Sequence, residues 1–242
     1  MTNILHIETA SVTCSVAISG NEKLLALRES FVDKSHAALV TVFIQELFEE
    51  TGLKPADLDA ISVSMGPGSY TGLRIGVSTA KGLAYGLGKR LIAVNTLKAM
   101  AWGLVNSPDI DLDDLRSDFY LSPMIDARRM EVYTSLFDKD LSTIKEISAE
   151  IIDEQSFQAF LDEKPVFFFG NGAEKCEDII QHKNARFIPG FHNSSKYMVS
   201  LAYESFQLKK FEDVAYFEPF YLKDFIATTP KNKILGPSFS GK

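Results

Sequence analysis

The sequence predicts an α/β protein that writes one element plan, βββαβα, twice. Three observations carry this expectation. The turn Gly66-Pro67-Gly68-Ser69 joins a short apolar strand to a helix, and that helix places Gly72, Gly76, Ala80, Ala84 and Gly88 four residues apart. Such spacing stacks small residues on one ridge. The order of strand and helix signals between residues 4 and 105 recurs between residues 120 and 181. Finally, 242 residues with 45% hydrophobic content suit one compact unit or two small lobes with a core that needs no staples.

The elements follow in order. Residues 4–9, 12–18 and 23–31 are expected as three consecutive strands, with a short turn between the first two. A helix is expected over 35–51, and a buried strand over 60–65. Gly66, Pro67 and Gly68 supply the tight turn that ends this strand. The glycine-ridge helix, a short strand at 91–94 and a helix opening at Asn95 and Thr96 complete the first half. After a polar, acidic connection at 109–118, the second half offers strands at 120–126, 130–137 and 144–151, with a turn at Ala127-Arg128-Arg129. A helix at 154–161, a strand at 166–169 and a helix at 173–181 follow. A helix at 196–210 links the halves, and 227–242, rich in Pro, Gly, Ser and Lys, reads as a mobile tail. The expected division is an N-terminal lobe at 1–105, a C-terminal lobe at 106–210 and a C-terminal segment at 211–242. This duplication resembles the organisation of the actin-like ATPase (ASKHA) superfamily.

Composition removes several function classes. The formal charge of -7 disfavours a large nucleic-acid footprint, because neutralising phosphates is the usual source of such affinity. Cys14 and Cys176 lack metal-type spacing and are expected to be reduced thiols in a cytoplasmic protein. No signal-peptide pattern and no stretch near 18 apolar residues is present, so neither export nor a membrane span is expected.

Two helices point to association. On the helix at 35–51, Leu39, Val40, Val42, Phe43, Ile44, Leu47 and Phe48 sweep roughly 240° at 100° per residue. Covering one core needs about a 100° stripe. The excess is buried either by the rest of the lobe or by a partner. On the glycine-ridge helix, which also carries Gly82 and Gly86, each interior glycine costs roughly 1 kcal/mol relative to alanine. Close approach of another element offsets this, either within the chain or across a subunit interface.

Four blocks carry a family resemblance: Ile7-Glu8-Thr9-Ala10 leading into Cys14-Ser15-Val16-Ala17; Gly66-Pro67-Gly68-Ser69-Tyr70-Thr71-Gly72-Leu73-Arg74-Ile75-Gly76; Met124-Ile125-Asp126-Ala127-Arg128-Arg129 with Glu131-Val132-Tyr133; and Pro219-Phe220-Tyr221-Leu222. They span nearly the whole chain, and the chain is similar in them to the bacterial TsaB (YeaZ) family. The resemblance implies a non-catalytic subunit of the machinery that makes threonylcarbamoyladenosine in tRNA. It implies pairing with a catalytic paralogue, TsaD, and an ATPase, TsaE. The apolar area expected to be exposed on the helices predicts a homodimer when the chain is alone, and the net charge predicts contact with tRNA only within the complex, through a more basic partner. The resemblance places a helical interface on His36, Val40, Phe43, Ile44, Leu47, Gly72, Leu73, Ile75, Gly76, Thr79 and Ala80. On this reading Gly76→Leu and Val40→Glu abolish association and leave the fold soluble.

No catalytic residue, cofactor or metal ligand is expected of the chain itself. Glu8, Thr9 and Ser11 in the first hairpin and Asp126 in the second stand where actin-like ATPases grip phosphates. The first turn has no glycine and the second carries two arginines, so the cleft reads as vestigial. Glu8 and Asp126 are either facing carboxylates across that cleft or turn caps paired with Arg128 and Arg129. The catalytic paralogue resembles a metalloprotein with two histidines four apart on one helix; here His36 is followed at that spacing by Val40, so His36 is expected to serve the helix end. Two other readings are an autonomous actin-like ATPase or kinase, resting on Glu8 and Asp126, and a zinc glycoprotease-like peptidase, for which the second histidine is missing. Phe167, Phe168 and Phe169 read as core. The turn Gly170-Asn171-Gly172 and the basic residues Lys209, Lys210, Lys223, Lys231 and Lys233 read as loop and solvated charge.

Overall fold

The computed structural model describes residues 1–32, 36–107 and 118–223. The first sheet contains β1 (Asn3–Glu8), β2 (Cys14–Gly20), β3 (Lys23–Ser30), β4 (Ala60–Gly66) and β5 (Arg90–Asn95), in the order β3-β2-β1-β4-β5. The second contains β6 (Tyr120–Asp126), β7 (Glu131–Asp138), β8 (Thr143–Ile151), β9 (Val166–Phe169) and β10 (Ala185–Ile188), in the order β10-β9-β6-β7-β8. Each sheet begins with an antiparallel meander whose first strand then takes a parallel neighbour by a crossover. A further parallel strand follows on that side in both. This is the duplicated actin-like fold that the repeated element plan predicts.

Helices decide what each sheet face sees. α1 (His36–Thr51) and α2 (Tyr70–Leu87) cover one face of the first sheet, burying Leu5, Ile7, Val16, Ile61 and Val63 beneath Val40, Leu47, Val77 and Ala80. α5 (Val199–Gln207) covers the other, with Ala202 and Met198 against Ile4, Ala60 and Ile92. α3 (Thr96–Val105) joins the sheets, packing Leu97, Met100 and Leu104 against Leu121, Ile125, Phe167 and Phe169. Asn95 caps it, its side chain accepting from the Lys98 N–H at 2.9 Å, which satisfies a donor that the helix start leaves open. A hydroxyl pair, Ser15 and Ser195 at 2.7 Å, ties β2 to the turn that enters α5.

The second half departs from the expected string in three places. The helix expected at 173–181 is a single 3-10 turn, Glu174–Cys176, followed by the strand β10, which the sequence reading did not assign. Four half-buried residues at a sheet edge carry too short a pattern to register as a strand. The helix expected at 154–161 is α4 (Gln158–Glu163), delayed because Phe157 sits in the left-handed region at φ 64° with its ring in the core. The linking helix splits into a 3-10 turn, Ser195–Met198, and α5. The expected tail at 227–242 lies outside the described residues.

The last described segment leaves α5 and runs along the first sheet. Glu212 N–H donates to the Leu91 carbonyl at 2.9 Å, the Lys81 ammonium reaches the carbonyls of Ala215 and Phe217 at 3.2 and 2.8 Å, and Phe220 N–H donates to the Met65 carbonyl at 2.7 Å. Lys223 then pairs with Glu131 at the start of β7. The segment therefore crosses from one sheet to the other. Among the described residues no helix is long and apolar enough to cross a membrane.

Candidate functional site

The glycine ridge faces inward. A methyl at Gly72 would stand 2.1 Å from the Thr9 carbonyl oxygen, and one at Gly76 would stand 2.3 Å from the Thr9 hydroxyl. The Thr9 hydroxyl donates to the Gly72 carbonyl at 2.8 Å, so α2 rests directly on the hairpin that joins β1 to β2. Of the two readings of the ridge, the structure selects packing within the lobe. Gly72, Leu73, Gly76 and Ala80 on α2, and His36, Val40, Ile44 and Leu47 on α1, are buried in the chain itself. The expectation that Gly76→Leu or Val40→Glu spares the fold is corrected accordingly, since both intrude on the core.

What these helices leave open is a groove between them. It has a volume of about 560 Å3 and is lined by Thr41, Phe48, Leu53, Thr79 and Leu83, with Ile44 at its floor. The outer stripe of α2 runs through Ile75, Thr79, Gly82 and Gly86, spaced by three and four and flanking the ridge on its more open side. Gly82 and Gly86 are exposed, and a methyl on either would meet nothing within 4 Å among the described residues. Their cost as interior helix glycines is offset by no contact among the described residues. Of the expected interface residues, Phe43, Ile75 and Thr79 remain half open, and Val42 is 45% exposed beside them. Phe48, Leu53 and Leu83 were absent from the expected interface set. The four-residue step from Ile75 through Thr79 to Leu83 was a signal that could have found the last.

The first hairpin is filled rather than open. Glu8 is 1% exposed, and its Oε1 accepts from the Ala10 N–H at 2.6 Å and from the Ser64 hydroxyl at 3.1 Å. A methyl at Gly68 would lie 2.2 Å from the Ala10 carbonyl, which already accepts from the Ser69 N–H at 2.7 Å. The loop that starts α2 thus occupies the concave side of the turn. Asp126, by contrast, is exposed on the second hairpin. It accepts from the Arg128 N–H at 3.1 Å and pairs with the Lys175 ammonium. The facing-carboxylate reading is therefore corrected, and the turn-cap reading holds with one change: the cation on Asp126 is Lys175, not the arginine side chains.

Burial sets the electrostatics here. It pushes the Glu8 carboxyl up to about 7, its hydrogen bonds to Ala10, Ser64 and Thr9 pulling the other way, and pushes the Cys14 thiol up to about 11, helped by the nearby Glu8. His6, enclosed between the hydroxyls of Ser62 and Ser19 at 2.7 and 2.8 Å, is held neutral with a pKa lowered to about 3. The Glu8 shift has a sign that can be measured. The folded chain keeps its proton while the unfolded chain loses it above about pH 4.5, so this group's stabilising contribution falls as pH rises from 4.5 to about 7. Glu8→Gln is expected to be more stable than the unaltered protein at pH 8, by up to about 3 kcal/mol, with the gain shrinking toward zero at pH 4.5. His6 has the opposite slope but is common to both proteins and cancels in the difference. Denaturant titrations of the pair across that range check this; a pH-independent difference refutes it.

His36 opens α1 against the same hairpin, its Nε2 lying 2.9 Å from the Ser11 carbonyl and 3.1 Å from that of Thr13. That nitrogen is the donor to both and is engaged within the chain, as a helix-end role requires. Among the described residues no group of three or more His, Cys, Asp and Glu side chains stands together in a way that could hold a metal ion.

Comparison with known proteins bears on what this arrangement is. Residues 30–231 match the family model described as TsaD, tRNA N6-adenosine threonylcarbamoyltransferase. The chain is 30% identical over 184 residues to the tRNA threonylcarbamoyladenosine biosynthesis protein TsaB of Bacillus subtilis, covering 74% of this chain and 75% of that protein. The chain belongs to the TsaB (YeaZ) family. Its TsaB relative from Escherichia coli is 28% identical over 233 residues, covering 93% of this chain and 96% of that protein. The solved structure of YeaZ from Pseudomonas aeruginosa, at 23% identity, superposes with a TM-score of 0.76 over 92% of this chain and the whole of that one, so the fold is shared throughout. In this TsaB chain, then, the two helices over the first sheet present an apolar groove, and the hairpin beneath them is closed.

Proposed function

We propose that this chain is a non-catalytic dimerisation and activating subunit in the synthesis of threonylcarbamoyladenosine in tRNA, pairing with the catalytic paralogue TsaD and working with the ATPase TsaE. One observation carries the reading: α1 and α2 bury their inner residues in their own lobe and still leave an apolar groove and an outer stripe containing two uncompensated glycines. A helix surface of that kind admits another helix pair at short distance. The same surface is the one through which the chain meets a second copy of itself when the paralogue is absent.

The competing assignment as an autonomous ATPase or kinase needs an open phosphate cradle at the first hairpin, where Gly68 and Ala10 are in contact instead. Reconstitution of threonylcarbamoyl transfer with TsaD and TsaE, with and without this chain, tests the proposal. Transfer that depends on the chain supports it. Undiminished transfer without the chain, or tight ATP binding by the chain alone, overturns it.

A further inference from the structure

A second cavity, of about 280 Å3, opens where three elements meet: the β2–β3 turn and the start of β3, with Glu22 and Leu24; the end of α3, with Trp102; and the 3-10 turn that enters α5, with Lys196, Tyr197 and Val199. One wall of it is rigid. Gly103 on α3 lets the Tyr197 ring lie flat against the helix, since a methyl there would stand 2.4 Å from that ring. Phe191 stacks on Tyr197 with 5.5 Å between centroids and 16° between planes, and both pack in the core that holds α3 on the second sheet. The ring is therefore in place before a ligand arrives, which lowers the ordering cost of binding. Val199 beside it is 3% exposed, while Leu24 across the cavity is 37% exposed.

Two opposite charges line the same space. Among the described residues the Glu22 carboxylate has no hydrogen bond or ion pair, and the Lys196 ammonium has only the Tyr197 ring, 5.2 Å from its centroid. A rounded space of this volume is about 8 Å across, so one small molecule reaches both. An anion alone is repelled by Glu22 and a cation alone by Lys196; a molecule that carries both charges a few bonds apart satisfies both. The apolar walls call for a bulky apolar group on that molecule. The volume, just under the roughly 300 Å3 at which pockets for larger organic ligands begin, sets its size at about one amino acid.

We propose that this cavity binds a free α-amino acid with a bulky apolar side chain, its ammonium on Glu22, its carboxylate on Lys196 and its side chain against Leu24, Trp102 and Tyr197. The assignment is independent of the pairing proposed above and is tested on the chain alone.

Trp102 is the single tryptophan of the chain, so its fluorescence reports on this cavity. The experiment titrates the full chain with L-phenylalanine and with L-leucine, exciting where phenylalanine does not absorb. A saturable change with a Kd of about 0.1 to 1 mM is expected from a ligand of this size. At ten times the Kd the melting temperature is expected to rise by roughly 3 to 6 °C. Lys196→Met and Glu22→Gln are each expected to weaken binding of L-phenylalanine about tenfold and to leave the melting temperature of the ligand-free chain unchanged, because both side chains lie at the surface. Two altered probes assign the charges. L-phenylalaninamide, without the carboxylate, is expected to bind the unaltered chain about tenfold more weakly than L-phenylalanine but to bind Lys196→Met equally well; 3-phenylpropionate, without the ammonium, is expected to show the same relation with Glu22→Gln. The proposal is overturned if neither amino acid gives a saturable change up to about 20 mM, well above the affinity expected from so few atoms, or if either charge variant binds as tightly as the unaltered protein. Equal affinity for benzyl alcohol, which has the ring and neither charge, likewise overturns it and leaves the cavity as an apolar cleft.

Discussion

Gly82→Arg is expected to yield a folded protein that no longer pairs and no longer supports threonylcarbamoyl transfer. The position is exposed on the outer stripe of α2, and a Cβ there meets nothing within 4 Å among the described residues. Within the monomer the substitution replaces a poor helix former by a good one, a gain of about 0.8 to 1 kcal/mol. For a chain of this size that raises the melting temperature by roughly 2 to 4 °C. A partner laid into the groove meets a long charged side chain where the helix surface was flat. The loss of association is expected to reach about 2 kcal/mol or more, ~30-fold in affinity. Light scattering with and without the catalytic paralogue, run beside a melting curve, separates the two effects. A variant that melts later and pairs normally places the interface elsewhere. Gly86→Arg, one turn further on the same stripe and equally open, provides the second case.

Gly72→Ala has the opposite expected outcome, although it lies on the same helix and adds only one methyl group. That methyl would stand 2.1 Å from the Thr9 carbonyl oxygen, a backbone atom that side-chain rotation cannot move aside. Either α2 lifts from the hairpin, losing the 2.8 Å bond from the Thr9 hydroxyl to the Gly72 carbonyl, or the hairpin itself shifts. Overpacking of a rigid contact costs roughly 3 kcal/mol, which lowers the melting temperature by about 6 to 12 °C at this size. Pairing weakens as a secondary result because the outer stripe moves with the helix. A Gly72→Ala protein as stable as the original would show that this contact is not close, and with it the inward placement of the ridge would fall. Taken together, the two glycines separate a residue that is small for its own lobe from one that is small for a partner.

This contrast also shows where sequence reasoning stops. The four-residue recurrence of Gly72, Gly76, Ala80 and Ala84 correctly identified a close-packed ridge, but periodicity gives angular position around a helix and not what stands opposite. Inward and outward stripes look alike until the sheet is in place. The surplus apolar sweep of α1 was partly absorbed in the same way, with Leu39, Phe43 and Phe48 packed against the core of the first lobe and only part of their surface left open. The hairpin residues Glu8, Thr9 and Ser11 were legible as a set, whereas their burial under the loop that starts α2 depends on Ala10 and Gly68, which are distant in sequence and meet only in the fold. Lys175 reaches Asp126 across 49 positions, a pairing that nearest-neighbour reading assigns to the adjacent arginines instead.

By itself the sequence determined the element plan and its repetition, because strand and helix periods, the glycine-proline turn after β4 and the cap at Asn95 are local signals written in consecutive residues. It also determined the family, through motifs whose residues are contiguous in the chain. Only the tertiary structure decided which face of α2 is interior, that the first hairpin is filled, that Lys223 comes to Glu131 beside the Arg128-Arg129 turn, and that a short edge strand completes the second sheet. Each of these turns on a contact between residues far apart in the chain, and such contacts are fixed by packing of whole elements, which no local pattern encodes.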